Sequence, residues 1–304
     1  MKQRNFFFFF GAVVILLLFL VIFPALTEQE PTGVTGGQPT DSLNRKIHIP
    51  VFKPQRIVSL SPGNTEIIYA LGAGDRLVGV TTYCDYPEDA KKLPKVGGFE
   101  KPDIEQILLL KPDLVIAGGS FHTGAIRTLE KAGVPVVAVE PKNLAELTAS
   151  VRLIATVIHE TDNGEEAIAR MEASVNKVRS RIGESAYRKK VFIEIWDMPL
   201  LAVGGKSYIN DIITQAGGVN VAAGKETFYA LCDDETLFSY DPDIYIVARH
   251  DRGGSRERVF RRFETEHVRA IRDNKVFYIS DDYLDRPGPR SFIALEQLAD
   301  ILQD

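Results

Sequence analysis

The side chains in this chain that could do chemistry are two histidines, two cysteines and a group of aromatics. His122 and His250 each stand a few residues beyond a short apolar run, Leu114 to Ala117 in one case and Ile244 to Val247 in the other. Placed alike in two halves, they could face one another as metal ligands. A first-row metal needs three or four such groups, and His48, His159 and His267 fall in a polar stretch or on expected helices. The residues therefore do not add up to a metal site, and His122, His250 and Cys84 are only its fragments. Cys84 and Cys232 are the sole cysteines, too few for a disulfide scaffold. A bond between them would lock the two halves together, so free thiols are expected. Neither a G-x-S-x-G elbow nor a G-x-x-x-x-G-K-[ST] loop occurs, and the carboxylates form no catalytic constellation, which argues against an enzyme.

The aromatics are more informative. Tyr83, Phe99, Trp196, Phe228, Tyr229 and Tyr283 fall in segments read as loops, where a core has no need of them, and Trp196 is the only tryptophan. A large, flat, partly apolar ligand held by stacking would use such a set.

Those loops must be positioned by the elements between them. Strands are expected at Ile57 to Leu60, Leu77 to Val80, Leu114 to Ala117 and Val134 to Val139. A second series follows at Val191 to Ile195, Ile244 to Val247 and Val276 to Ile279. Helices alternate with them: Thr65 to Leu71 after a turn at Ser61 to Asn64, Asp103 to Leu110, Thr123 to Ala132, Tyr208 to Ala216, Glu235 to Tyr240 and Ser291 to Leu302. Strands apolar on both faces and separated by helices predict parallel sheets, with ligands at the carboxyl ends of the strands. The two series share a segment, Glu105 to Ala117 and Glu235 to Val247. Each copy is an acid opening an apolar helix, a Pro-Asp break and a strand. Two similar lobes are the natural reading. Between them apolar residues recur at helical spacing from Leu144 to Ile158 and again from Ile168 to Ile182, interrupted at Asp162 to Gly164. One long helix joining the lobes would allow only a modest opening of the cleft.

The 304 residues, 45% hydrophobic and 25% charged, suffice for one large or two ordinary domains, and the net charge of −5 argues against a nucleic-acid surface. The arginine-rich stretch from Arg252 to Arg262 reads as a solvated helix face. Lys2 and Arg4 precede an uncharged stretch from Phe6 to Leu26, long enough to cross a bilayer, with the body outside the cytoplasm. With no cysteine before Cys84, a lipid-modified cysteine at the start of a mature chain is not available, and an uncleaved anchor is favoured over a cleaved signal. The expected organisation is an export segment at 1–27, a flexible tether at 28–53, an N-terminal lobe at 54–142, a helical connector at 143–187 and a C-terminal lobe at 188–304.

The run Arg56 to Glu66, the loop Tyr83 to Pro87, the turn Gly97 to Phe99, the run Lys111 to Ile116 and the segment Tyr283 to Arg290 together resemble the cobalamin-binding substrate-binding proteins of bacterial ABC importers, within the wider iron-complex and cobalamin group. The resemblance spans about residue 54 to the end. It implies two Rossmann-like lobes joined by a rigid helix and a corrinoid carried as cargo rather than as a cofactor. It places Tyr83, Phe99, Trp196 and Tyr283 against the ligand, with Arg286 near its polar side chains and Phe228 and Tyr229 as looser transfers. It also implies that Glu105 and Glu235 meet basic pockets on a permease dimer with its ATPase, the receptor itself being a monomer. Haem or a ferric siderophore is the alternative cargo, and an anchored enzyme or sensor on the same scaffold the alternative class.

Overall fold

The computed structural model describes residues 38–182, 187–248, 259–260 and 267–303, and Pro39–Asp304 forms a compact unit by itself. The first sheet consists of β1 (Ile57–Ser59), β2 (Leu77–Val80), β3 (Leu114–Ala117) and β4 (Val136–Ala138), all parallel in the order β2-β1-β3-β4. Successive strand residues point to opposite faces, and each face has its own helices. Ile57, Leu114 and Ile116 pack with residues of α1 (Pro62–Ala70) and, further along the chain, Leu147, Val151 and Ile154. Val58, Val115 and Ala117 pack with Ile107 of α2 (Ile104–Leu109) and with Ile126 and Leu129 of α3 (Thr123–Lys131).

The helix expected from Thr65 begins instead at Pro62. Ser61 is its N-cap, accepting from the Asn64 amide at 3.4 Å. Proline at the first helical position has no N–H to satisfy there and a φ already set for the helix, so Ser-Pro starts a helix where it reads as a turn.

Between the sheets run α4 (Leu144–Val157) and α5 (Thr161–Arg181). The break falls at His159, whose φ of 58° is left-handed, and not at Asp162 to Gly164, which form the first turn of α5. Gly164 has a packing role, since a Cβ there would lie 2.5 Å from the Cβ of Ala155 on α4. The 21 residues of α5 span roughly 30 Å, and α5 packs against both α4 and the terminal helix.

The second sheet is β5 (Lys190–Asp197), β6 (Leu200–Val203), β7 (Val219–Asn220), β8 (Tyr229–Leu231), β9 (Ile244–Ala248) and β10 (Val276–Ile279), in the order β10-β9-β5-β6-β8 with β7 also on β5. Its parallel part is as expected, but β6 and β8 are antiparallel additions. Trp196 to Pro199 is thus a hairpin and Tyr229 opens a strand, where loops are expected from sequence. The remaining helices are α6 (Tyr208–Gln215), α7 (Asp234–Tyr240), α8 (Arg269–Arg272), α9 (Asp281–Leu284) and α10 (Ser291–Gln303).

The repeated Pro-Asp has a local cause. The Asp113 carboxylate accepts from the amides of Gln55 and Arg56 at 2.8 and 2.9 Å, at the entry to β1. Asp243 accepts from the Lys190 amide at 2.8 Å, at the start of β5. Each aspartate pins the neighbouring strand, and the registers correspond, Ile57 opposite Leu114 and Val191 opposite Ile244.

The tether expected over 28–53 does not extend through its second half. Asp41, buried, accepts from the amides of Leu43, Arg45 and Ala138 at 3.0, 3.0 and 3.1 Å. Ser42 donates to the Ala138 carbonyl at 3.0 Å, and Ile47 joins the core. A turn thus covers the open edge of β4 with polar groups, which needs no apolar periodicity and so leaves none in the sequence. Further on, the carbonyls of Pro50 and Pro54 bond to His159 and Arg76. The apolar stretch Phe6 to Leu26, together with Arg249, His250 and most of the Arg252 to Arg262 run, lies outside the described residues. Among the described residues no helix is long and apolar enough to cross a membrane.

Candidate functional site

The carboxyl ends of the two sheets meet through ion pairs. Glu66 on α1 accepts from Nε and Nη2 of Arg290 at 2.9 and 2.6 Å, both side chains buried. Arg286 bonds to Asp85, in the loop after β2, and its Nη2 lies 2.9 Å from Asp282. Tyr86 stacks on the Arg290 guanidinium at 4.1 Å, and the Tyr283 ring lies 5.4 Å from it. Gly63, in the first turn of α1, abuts the Pro287 carbonyl so closely that no side chain would fit. Burial pulls the pKa of Arg286 down, but Asp85 and Asp282 outweigh it and hold the group above its ordinary value. Burial raises Glu66 against the pull of Arg290. Arg286, which the sequence offers to a ligand's polar groups, is therefore already paired, its side chain only 12% exposed.

Beyond the ion pairs stand the aromatics. Tyr83, Trp196 and Phe228 are more than half exposed, and Tyr229 is 44% exposed. Phe99 and Tyr283 are half-buried; Phe99 packs against Phe121 and His122 at 5.4 and 5.0 Å between ring centres. Trp196 owes its position to a bulge. The register shifts between Glu194 and Trp196, so Glu194 stays buried while Trp196 pairs with Leu201 on the outer face. Leu201 is opposite Leu231, and Val203 is opposite Tyr229. The Tyr229 hydroxyl, its pKa pushed up by burial and by Asp285, donates to Asp285 at 3.2 Å. The antiparallel extension is thus bonded to Asp285, the residue before Arg286, and carries across it an apolar row, Leu231, Leu201 and Trp196. Sequence reading does not place Leu201 and Leu231 beside Trp196, because the three-residue β8 shows no legible alternation.

Of the three fragments of a metal site, His250 lies outside the described residues, and His122 and Cys84 each have partners within the protein. Both ring nitrogens of His122 are engaged: Nδ1 accepts from the Gly118 amide at 2.7 Å and Nε2 donates to the Phe99 carbonyl at 2.5 Å. Burial lowers its pKa, so it is a neutral structural histidine. Cys84 is buried, its Sγ 3.2 Å from both Thr65 Oγ1 and Thr81 Oγ1. Burial raises its pKa, and that of Cys232 to about 11, so both are protonated thiols, and free ones. Among the described residues no three His, Cys, Asp or Glu side chains are grouped to hold a metal ion.

Glu105 and Glu235 occupy the same place, the second residue of α2 and of α7. They follow caps Asp103 and Asp233 that accept from the Gln106 and Thr236 amides at 3.1 and 2.8 Å. Both glutamates are exposed. A cavity of about 410 Å³ lies elsewhere, between α5 and α10, lined by Met171, Phe292 and Ile293 among others.

Two α/β sheets are thus bridged by paired charges between the loops at their carboxyl ends. The chain belongs to the periplasmic binding protein family, whose model matches residues 57–283. It is 31% identical over 255 residues to the uncharacterized ABC transporter substrate-binding lipoprotein YvrC of Bacillus subtilis, covering 82% of this chain and 80% of that one. Among solved structures, the periplasmic vitamin B12 binding protein BtuF of Vibrio cholerae is 28% identical with a TM-score of 0.73, covering 83% of this chain and 98% of the other. The periplasmic heme-binding protein RhuT from Roseiflexus is also 28% identical, with a TM-score of 0.72 and coverages of 82% and 97%. The group to which the sequence motifs point is therefore the right one. Its members are transport substrate-binding proteins, not enzymes.

Proposed function

We propose that this protein is an extracytoplasmic receptor that captures cobalamin or a related corrinoid between its lobes and delivers it to an ABC permease. The observation that carries this reading is the pairing of exposed aromatic surface with cancelled charge. Tyr83, Trp196 and Phe228 offer flat apolar contact, while the two arginines between the lobes are matched by Glu66, Asp85 and Asp282. A corrinoid is large, flat and fringed with neutral amides, and it needs no free cation. Haem propionates and anionic siderophores do, and among the described residues His122 and Cys84 offer no free axial ligand. Tyr83, Phe99, Trp196, Tyr283, Phe228 and Tyr229 form the ligand surface in this reading, with α5 limiting the opening of the lobes. The apolar segment at residues 6–26 tethers the receptor in this reading.

Glu105 and Glu235, equivalent in the two lobes, suit a twofold partner with a basic pocket on each side. Side-by-side calorimetric titrations with cyanocobalamin and haemin test the cargo: cobalamin binds at a single site and haemin binds more weakly or not at all. Tighter haemin binding would refute the corrinoid assignment. Glu105→Lys with Glu235→Lys keeps ligand binding and abolishes stimulation of the permease's ATPase, and unchanged stimulation would refute the docking role.

A further inference from the structure

Of the groups where the lobes meet, Asp85 has a position that its neighbours do not share. Glu66 and Arg290 are buried in a two-point pair under the Tyr86 ring. Asp85 is 43% exposed at its side chain, while the Arg286 it binds is 12% exposed. Arg286 therefore has two carboxylates of different standing. Asp282, one turn away on its own segment, is the inner partner at 2.9 Å. Asp85, brought from the loop after β2, is the more exposed partner. Tyr229 bonds to Asp285, the residue before Arg286.

We propose that Asp85 sets the charge class of the ligand, by holding the Arg286 guanidinium that could otherwise receive a ligand carboxylate. This rests on the proposed placement of the ligand between the lobes. A guanidinium offers a planar fork that a carboxylate fills at two points. With Asp85 in the fork, an incoming propionate must displace a carboxylate of equal charge already held in place, and it meets the like charge of Asp85 on approach. A neutral amide-fringed macrocycle meets neither obstacle. With Asp85 uncharged, the same arginine becomes a receptor for tetrapyrrole carboxylates.

Asp85 can be changed without dismantling its loop, because the neighbouring backbone is held independently. The Cys84 amide donates to the Thr81 carbonyl at 3.1 Å, and Lys95 Nζ donates to the Cys84 carbonyl at 3.0 Å. The experiment uses the full chain, wild type and Asp85→Asn, with Asp85→Ser as a second variant should the amide disturb the fold. The probes are mesoporphyrin IX, which bears two propionates and no metal, and its uncharged dimethyl ester. The variant is expected to bind the free acid roughly tenfold more tightly than wild type, as removal of a like charge beside a cation warrants. The ester should show no such gain, and the gain should vanish in Asp85→Asn combined with Arg286→Gln. Equal affinity of wild type and both variants for the free acid would overturn the proposal, as would an equal gain for the ester, which would mean that the lobes had merely loosened. Failure of wild type to bind cyanocobalamin would count against the corrinoid reading alone, since the porphyrin comparison still decides the role of Asp85.

Discussion

The two halves share a framework and differ in what is attached to it. In the first, Asp113 pins β1 through two backbone amides and the sheet is wholly parallel. In the second, Asp243 pins β5 through the Lys190 amide and also takes the Tyr187 hydroxyl at 2.6 Å and Arg269 Nη1 at 2.7 Å. That sheet then gains an antiparallel pair, β6 and β8. The shared part is registration of strand against strand; the added part is an exposed apolar face beside the place where the lobes meet. Repeated sequence thus marks the scaffold, and the unrepeated hairpin adds exposed apolar side chains, Trp196 and Leu231 among them.

The largest effect is expected where the halves join. Arg290→Met leaves Glu66 buried without its cation and should cost roughly 3–5 kcal/mol of stability, measured by urea unfolding. Adding Glu66→Leu should recover most of it, and no recovery would show that the pair is not what holds this junction.

Next come the clamps, which test the comparison itself. Asp243→Ala should cost roughly 2–3 kcal/mol and Asp113→Ala about 1–2 kcal/mol, because the former loses a charged donor as well as an amide. Equal losses would mean that Tyr187 and Arg269 add nothing.

Acid unfolding probes the same asymmetry. Burial alone would raise the pKa of Asp243, but Tyr187, the Lys190 amide and Arg269 together hold it below the usual carboxylate value. A depressed folded pKa contributes stability that is present above the unfolded value and lost as pH falls through the folded one. Asp243→Asn should therefore be less stable than wild type at neutral pH and lose less on acidification, as seen in melting temperatures taken below pH 5. Parallel acid limbs would contradict the assignment.

The smallest effect on stability belongs to the added wall. Leu231 is 69% exposed, so Leu231→Ser should change stability by no more than about 0.5 kcal/mol while weakening ligand binding several-fold. An unchanged affinity would remove β8 from the ligand surface.

The parallel strands were legible because Ile57 to Ser59, Leu114 to Ala117 and Ile244 to Ala248 are buried on both faces and, Ser59 apart, read as apolar runs. The terminal helix was legible too, from Ser291 onward. The antiparallel pair was not, since Leu200 to Val203 and Tyr229 to Leu231 are short and differ from loops only through their cross-strand partners. Ser61-Pro62 and Asp162 to Gly164 misled in opposite ways: the first starts a helix where a turn reads, and the second continues one where a break reads. The exposure of Tyr83, Trp196 and Phe228 was legible from their type and from the polar or turn-forming residues around them. The partners of Arg286 and Arg290 could not, because Asp85 and Glu66 lie in the other half of the chain and only folding brings them together.

The central claim is that exposed aromatic surface beside paired charges receives a large, neutral, flat ligand, and the single tryptophan reports on it directly. Titration of cyanocobalamin into the full chain should quench Trp196 emission saturably at one-to-one stoichiometry, after correction for absorbance by the ligand. Unchanged emission at micromolar protein and ligand would contradict the account.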